Sequence, residues 1–477
     1  MKKGDELTLD VIELNSEGKG VCKTEEGFVI FTDKVLPGDT VKIQLRKKKS
    51  NYGEGRLIEI IKPSEYRIDP PCIYFGTCGG CKIQNYVYEK QLDFKTEAVR
   101  NAFKRIGGFE NLEIPLPIPS EHIFYYRNKM EFSFSDDRWL TAKDVEEEEL
   151  TGVPIDKRFA LGLHVPRFHS KIVDIHECFL QSQVSNRILN YTRDFFKSRG
   201  LSIYSTETHS GYLRFLLIRE GKNTNDIMVS LITYDYKEEL INEYAEGLKS
   251  AAPEVTTFVN AISEKKAQVA FGDSEKVIFG KGYIEEVLNK NNGRAYKFKI
   301  SPNSFFQTNS KQGEVLYNIA AKAGDFKKTD KVLDLYCGTG SITIFISDEV
   351  AEVKGVELVE DSIKNAFQNK ELNNVTNVDF ELGDIKDFLL SKDVVELHTY
   401  NKIILDPPRA GLHPKICEIL AASDFEKIVY VSCNPVTQAR DLQIICSQGK
   451  YKINTVQPVD MFPHTYHIEN VVDLVRV

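Results

Sequence analysis

The stretch Val332-Leu333-Asp334-Leu335-Tyr336-Cys337-Gly338-Thr339-Gly340 decides the fold. Its first four residues read as an apolar strand, and glycines at 338 and 340 let the backbone turn and approach a ligand closely. The apolar run Ile342 to Ile346 follows. A strand, a glycine turn and a further apolar run in that order open a nucleotide-binding α/β unit. Glu357 ends the next strand, Val353-Lys354-Gly355-Val356-Glu357, where an acidic residue commonly takes the ribose hydroxyls of an adenosine. Asp384, in Leu382-Gly383-Asp384, follows the strand after that and is placed to meet the adenine edge. The loop has two glycines where a pyrophosphate site wants a third, so the series favours S-adenosyl-L-methionine over a dinucleotide. Cys337 reads as a small buried residue of the turn.

Outward from this loop the chain alternates helix and strand. A helical stretch near Gly313 to Ala323 precedes it, and strands Ile403-Ile404-Leu405-Asp406 and Ile428 to Ser432 follow. That pattern predicts a doubly wound, Rossmann-like parallel sheet. The carboxyl ends of such strands line the ligand crevice, which puts Asp406-Pro407-Pro408-Arg409 and Ser432-Cys433-Asn434-Pro435 there. An Asp-Pro-Pro element resembles amino-group methyltransferases, in which an aromatic residue follows to stack on the base. Arg409 stands there instead, which argues against an adenine target.

A strand-end thiol suggests covalent catalysis. Carbon 5 of uracil is a poor nucleophile, but a thiolate added at carbon 6 makes an enolate that concentrates charge at carbon 5. With an ordinary pKa of about 8.5, a few per cent of a cysteine is thiolate at neutral pH, and its intrinsic nucleophilicity is high. A base must then remove the proton left on carbon 5. Glu469, in His467-Ile468-Glu469-Asn470, is the candidate, since a carboxylate near apolar surroundings has its pKa raised toward the working pH. His464 and His467 lack a nearby third ligand for a metal and read as satisfying local hydrogen bonds.

With Ser432-Cys433-Asn434-Pro435, His467-Ile468-Glu469-Asn470 and Phe305-Phe306-Gln307-Thr308-Asn309 in place, the chain resembles the bacterial 23S rRNA uracil-5-methyltransferase family, of the type with an N-terminal TRAM barrel and an iron-sulfur cluster. The resemblance runs over nearly the whole chain. It implies Cys433 as nucleophile, Glu469 as base and Gln307 as a cofactor contact. It also implies that Tyr336, Glu357, Asp384 and Asp406 line the cofactor and uracil sites, beside Gly338 of the turn. Family members often carry asparagine where this chain has Ser341.

Cys72, Cys78 and Cys81 have five and two residues between them, and Cys178 lies far downstream. Four such thiols suit tetrahedral zinc or an iron-sulfur cluster, and spacing does not choose between them. The resemblance implies a [4Fe-4S] cluster, which we read as structural, shaping an RNA surface. Around it Arg127, Lys129, Arg167, Lys171 and Arg214 interleave with Tyr125, Tyr126, Phe132 and Phe168, a mixture that suits splayed, stacked RNA.

Residues 6 to 60 read as short strands broken by glycines, which predicts a small barrel of oligonucleotide-binding type. The run Arg46-Lys47-Lys48-Lys49 beside Tyr52 gives it cations and a stacking ring. Leu92, Val99, Phe103 and Ile106 share one helical face, and Asp144 to Glu149 reads as an acidic loop insertion. The expected organisation is α/β and multidomain: an OB-like TRAM barrel over residues 1–62, a strand-rich iron-sulfur and RNA-binding domain over 63–300, and a methyltransferase domain over 301–477. The helix near 88–106 is expected to pack on that last domain.

The 477 residues carry a net charge of −8, which argues against non-specific coating of nucleic acid. Nine cysteines cannot all pair. No apolar run approaches a membrane span and Met1-Lys2-Lys3-Gly4-Asp5-Glu6 does not open a signal peptide, so a cytoplasmic protein is expected. RNA, 23S rRNA first, is the expected partner. The same chemistry on the T-loop of tRNA, an adenine amino-methyltransferase and a non-catalytic RNA-binding assembly factor are the rival readings.

Overall fold

The computed structural model of the protein describes residues 1–391 and 399–477. Five strands open the chain: β1 (Glu6–Leu14), β2 (Gly20–Lys23), β3 (Val29–Thr32), β4 (Thr40–Lys48) and β5 (Tyr52–Lys62). They close into a barrel in the order β1-β2-β3-β5-β4. Alternation along β1 and β4 sends Val11, Val41, Ile43 and Leu45 inward to meet Cys22 and Ile30. Closure leaves no strand edge open. The buried carboxylate of Asp39 accepts from the backbone of Leu36 and Ser64 and pairs with Arg67 at 2.5 Å, fixing the chain's exit from the barrel. Of the basic run, Lys47 pairs with Glu54 at 3.1 Å and Lys49 lies over the Tyr52 ring at 5.4 Å.

The middle of the chain builds an eight-stranded sheet from β6 (Lys129–Ser135), β7 (Arg138–Trp139), β8 (Ala160–Val165), β9 (Phe168–Asp174), β10 (Leu213–Glu220), β11 (Ile227–Thr233), β12 (Thr257–Ile262) and β13 (Ser274–Phe279). Helices Gln183–Ser198 and Glu238–Ala251 pack Ile188, Leu189, Phe196 and Tyr244 against its inward face. The acidic run is not a loop. It lies in helix Ala142–Thr151, started by a capping box between Thr141 and Asp144 and ended at Gly152 in a left-handed conformation. That helix buries no residue, so apolar periodicity could not reveal it.

The mixed basic and aromatic set is also corrected. Arg214 is buried, donating to the carbonyls of Ser263, Lys265 and Ala267, and Phe132 and Tyr126 are buried too. Arg167 pairs with Asp33 and Lys171 with Asp137. Tyr125 and Phe168 stay exposed. Strand β10, which carries Arg214, is buried along its whole length, so a sequence cluster does not make a surface cluster.

Strands β14 (Ile284–Asn289) and β15 (Ala295–Ile300) form a hairpin. Although its residues fall in the segment assigned to the middle domain, Leu288, Tyr296 and Phe298 sit in one core with Phe345 and Val353. Helix Tyr88–Arg105 likewise buries Val99, Ala102 and Phe103 against Leu405 and Ile416. Its face differs from the expected stripe: Ile106 is exposed, while polar Gln91 and Lys95 are buried.

The last sheet contains β16 (Lys331–Leu335), β17 (Glu352–Glu357), β18 (Val378–Leu382), β19 (Lys402–Leu405), β20 (Lys427–Ser432), β21 (Tyr451–Val459) and β22 (Glu469–Arg476). Its order is β18-β17-β16-β19-β20-β22-β21, with the first five parallel and β22 antiparallel to both neighbours. Ile404 and Val429 pair side by side in its centre, almost wholly buried. Truncating either to alanine costs on the order of 1–5 kcal/mol. The parallel strands follow the expected pattern; β21 and β22 were not foreseen. No helix among the described residues is long and apolar enough to cross a membrane.

Candidate active site

A cavity of about 1010 Å³ opens at the carboxyl ends of β16, β17, β19 and β20. Gln307, Tyr336, Gly338, Glu357, Asp384, Asp406, Cys433 and Glu469 all line it. Residues spread over more than 160 positions of sequence thus meet, since 469 − 307 = 162.

The glycine turn explains one end. Gly340 has φ +77° and an added Cβ there would lie 2.6 Å from the Phe380 ring, so only glycine fits. Gly338, at φ +54°, has open space where a Cβ would stand. Its N–H donates to Glu357 at 3.1 Å, and the other Glu357 oxygen accepts from Leu358 and Val359. Asp384 accepts from the backbone N–H groups of Lys386 and Asp387 at the start of helix Ile385–Ser391. Ser341, where relatives often have asparagine, shares a hydrogen bond with buried Tyr317 at 2.9 Å.

Asp334, quoted above only as the head of the loop, proves to be part of the site. One carboxylate oxygen accepts from Thr343 at 2.5 Å, while the other is buried without a hydrogen-bond partner. Burial pushes its pKa up to about 7, against the Thr343 hydrogen bond and with help from Asp406 and Glu357. Position alone, at the last turn of an apolar strand, gave no such signal.

At the other end, register brings the thiol and the carboxyl together. Ser432 pairs with Asn470 across antiparallel β20 and β22, so Cys433 and Glu469 are the next residues toward each other. Both line the cavity. Burial, then Glu469 and Asp406, push the Cys433 thiol up to about 12, with Arg409 opposing. The resting thiol therefore lacks even the few per cent of thiolate that a free cysteine has at neutral pH. Burial and Asp406 raise the fully buried Glu469 well above the carboxylate range, and burial raises Asp406 to about 7.

Arg409 ties three loops. Its main-chain oxygen accepts from Asn434 Nδ2 at 3.1 Å and Thr437 Oγ1 at 3.2 Å, and its Nη2 lies 3.2 Å from His467 Nδ1. Asn434 also caps helix Pro435–Cys446 through the N–H of Val436. The turn before β22 is held from the front of the chain. Buried Lys95 pairs with buried Asp460 at 2.5 Å, Gln91 accepts from His464 N at 2.8 Å, and the N–H groups of Lys82 and Ile83 donate to His464 O. His464 stacks on Phe124 at 4.4 Å and its Nδ1 lies 3.2 Å from Gln91 Nε2, so it adds packing to the local hydrogen bonding expected of it. Phe305, 67 % exposed, stands at the cavity wall.

Cys72, Cys78, Cys81 and Cys178 line a second cavity of about 420 Å³, which shares Gly79, Gly80, Arg127 and Thr308 with the first. Burial raises all four thiols, Cys78 to about 12; repulsion from the other thiols adds to it at Cys78, Cys81 and Cys178, and from Glu177 at Cys72. Gly80 N–H points at Cys78 Sγ at 3.3 Å and Gln84 Nε2 at Cys81 Sγ at 3.7 Å. Among the described residues no three His, Cys, Asp or Glu side chains converge tightly enough to hold a single metal ion.

A doubly wound sheet with a glycine-turn cavity and a strand-end thiol, behind an N-terminal barrel, defines the class as methyltransferase. The tRNA (Uracil-5-)-methyltransferase family pattern matches residues 220–477, and the TRAM domain pattern matches residues 1–58. The chain belongs to the RNA (uracil-5-)-methyltransferase family. It is 40% identical over 473 residues to an uncharacterized RNA methyltransferase of Chlorobaculum tepidum, covering 98% of this chain and 96% of that one. An uncharacterized RNA methyltransferase of Bacteroides thetaiotaomicron is 39% identical over 460 residues, covering 96% and 98%. The crystal structure of Pyrococcus abyssi tRNA (uracil-54, C5)-methyltransferase in complex with S-adenosyl-L-homocysteine superposes with a TM-score of 0.74 at 28% identity, covering 98% of this chain and 100% of that one.

Proposed function

We propose that the protein methylates carbon 5 of a specific uridine in 23S rRNA, with Cys433 as nucleophile and Glu469 as base. The observation that carries this is the facing of Cys433 and Glu469 across β20 and β22 in the cavity of the glycine turn.

The cavity fits S-adenosyl-L-methionine. Asp334 has an unpaired buried oxygen suited to an ammonium, Gly338 leaves room beside the backbone, and Glu357 and Asp384 suit the ribose and adenine. Gln307 and Tyr336 complete the walls that would hold it. Bound there, this cofactor supplies an electrophilic methyl on a sulfonium whose positive charge offsets the buried carboxyls.

The protein's own residues do the rest. Asp406, near 7, takes the proton of the Cys433 thiol. The sulfur bonds to carbon 6 of the uracil, and the electron pair of the ring double bond moves toward carbon 5 and oxygen 4. Once carbon 5 has been methylated, Glu469, having given its own proton to water before the addition, removes the carbon 5 proton, the double bond re-forms, and sulfur leaves with the carbon–sulfur pair to regain a proton from Asp406. The uridine must leave its stack first, at a cost of a few kcal/mol that is smallest in a loop.

Cys72, Cys78, Cys81 and Cys178 would hold a [4Fe-4S] cluster in a structural role. Four half-buried cysteines around one cavity, with N–H donors at two of the sulfurs, fit a group wider than one ion, whose ligands would need to converge within about 2.3 Å of its centre. The barrel over residues 1–62 and the middle segment would bind the RNA.

The T-loop of tRNA is the second reading, favoured by the family description and by the activity of the Pyrococcus abyssi neighbour. Incubating the protein with S-adenosylmethionine and unmodified 23S rRNA or tRNA, then digesting to nucleosides, decides between them. 5-Methyluridine in rRNA alone is the expected result; in tRNA alone, it moves the proposal to the second reading. Failure to bind S-adenosylmethionine would leave the assembly-factor reading.

A further inference from the structure

We propose that His467 is a catalytic residue that donates a hydrogen bond from Nε2 to oxygen 4 of the uracil as Cys433 adds to carbon 6. This rests on the covalent-addition reading above and identifies the group that holds the charge the addition creates.

The argument starts at Arg409. Its guanidinium has donors and no acceptor, so at 3.2 Å from His467 Nδ1 it makes that nitrogen the acceptor. A neutral imidazole that accepts at Nδ1 carries its hydrogen on Nε2. The ring is neutral at working pH, since burial and then Arg409 hold its pKa down to about 4. Its tautomer is thereby fixed, and the ring lines the same cavity as Cys433 and Glu469. Orientation is fixed as well. The Tyr466 ring lies against it at 4.4 Å, Phe462 meets it edge-on at 6.4 Å, and its backbone N–H donates to Thr465 Oγ1.

Addition of sulfur to carbon 6 sends the displaced π pair through carbon 4 onto oxygen 4. Beside the thiol stand Glu469, which as a carboxylate repels that charge, Asp406, which has just taken the thiol's proton, and Arg409, whose Nη2 is turned to His467 Nδ1. A neutral donor held in place answers the requirement without having to lose a proton itself. Removing one such donor costs about 10²–10³ in rate.

The step is isolated with RNA in which 5-fluorouridine replaces uridine, because fluorine on carbon 5 cannot leave as a cation and the adduct cannot eliminate. A mixture of 23S rRNA and tRNA transcripts made this way is added to the protein with S-adenosylmethionine, and the covalent RNA–protein adduct is timed. His467→Leu should form adduct about 100-fold more slowly than the native chain while binding S-adenosylmethionine within about twofold. His467→Gln, which restores an N–H donor, should recover to within about tenfold. Arg409→Met, which frees the tautomer, should be slowed by at least about tenfold and covers the case in which the leucine variant fails to fold. Adduct formation at the native rate in His467→Leu or in Arg409→Met, or equal slowing in the glutamine and leucine variants, overturns the proposal. No adduct with the native chain would instead overturn the addition chemistry beneath it.

Discussion

Asn434 Nδ2 donates to the main-chain oxygen of Arg409 at 3.1 Å, joining the loop that carries the thiol to the loop that carries Asp406. The same side chain's oxygen caps helix Pro435–Cys446. Two functions therefore rest on one residue, and they separate by substitution. Asn434→Ser keeps a helix cap and cannot reach Arg409, so turnover should fall about tenfold with the melting temperature nearly unchanged. Asn434→Ala should lose both, with about 1 kcal/mol of stability gone. Kinetics and thermal melts on the two variants check this.

Asp406 sets a pH limit. Its pKa in the folded chain is about 7, and as the proposed acceptor of the thiol's proton it works only when ionised. The value of kcat/KM should fall toward tenfold per pH unit below about 7, and Asp406→Asn should lose that dependence along with most activity. For stability the sign runs the other way from an ordinary paired carboxylate. Between the unfolded value of about 4 and the folded value of about 7 the native state keeps a proton that the unfolded chain has lost, so stability declines as pH rises through that window. Asp406→Asn should raise the melting temperature at pH ~8 by a few degrees and by less at pH ~5.

Much of this site was legible in the sequence because the groups stand at ends of strands whose apolar runs are unmistakable. Tyr336, Glu357, Asp384, Asp406 and Cys433 each follow or end a parallel strand, and all reach one cavity. Glu469 was singled out by its chemistry and by resemblance, with no strand pattern to place it. Strand β21 has mixed burial with exposed positions, β22 is buried over most of its length, and neither carries a turn motif that announces it. The pairing of Asn470 with Ser432 is a long-range fact that no local pattern encodes. Arg409 and His467 were missed as a pair for the same reason: 58 positions separate them, and a hydrogen bond defines their relation. Arg214 was misread because a buried arginine satisfied by three carbonyls has the same sequence signature as one facing RNA.

Asp334 has an oxygen that nothing satisfies in a buried wall of the cavity. Asp334→Asn keeps the size and the Thr343 contact but removes the charge. Affinity for S-adenosylmethionine should drop about 10- to 100-fold by calorimetry, in line with losing a hydrogen bond to a charged group. Affinity equal to the native chain would remove Asp334 from the cofactor site.

The four thiols have a spectroscopic test. Protein prepared without oxygen should show visible absorbance and bound iron, and Cys178→Ala should lose both. An unchanged spectrum would exclude Cys178 as a ligand, and metal analysis returning zinc in place of iron would assign the other tetrathiolate chemistry.

Glu469→Gln offers the most direct test of the covalent step. The amide cannot take the proton from carbon 5, so addition and methylation proceed and elimination stalls. Mass spectrometry of the nuclease- and protease-digested reaction should find a methylated uridine joined to the peptide that contains Cys433. A Glu469→Gln protein that binds RNA and S-adenosylmethionine yet turns over normally, or that carries no nucleotide on that peptide, would contradict the account.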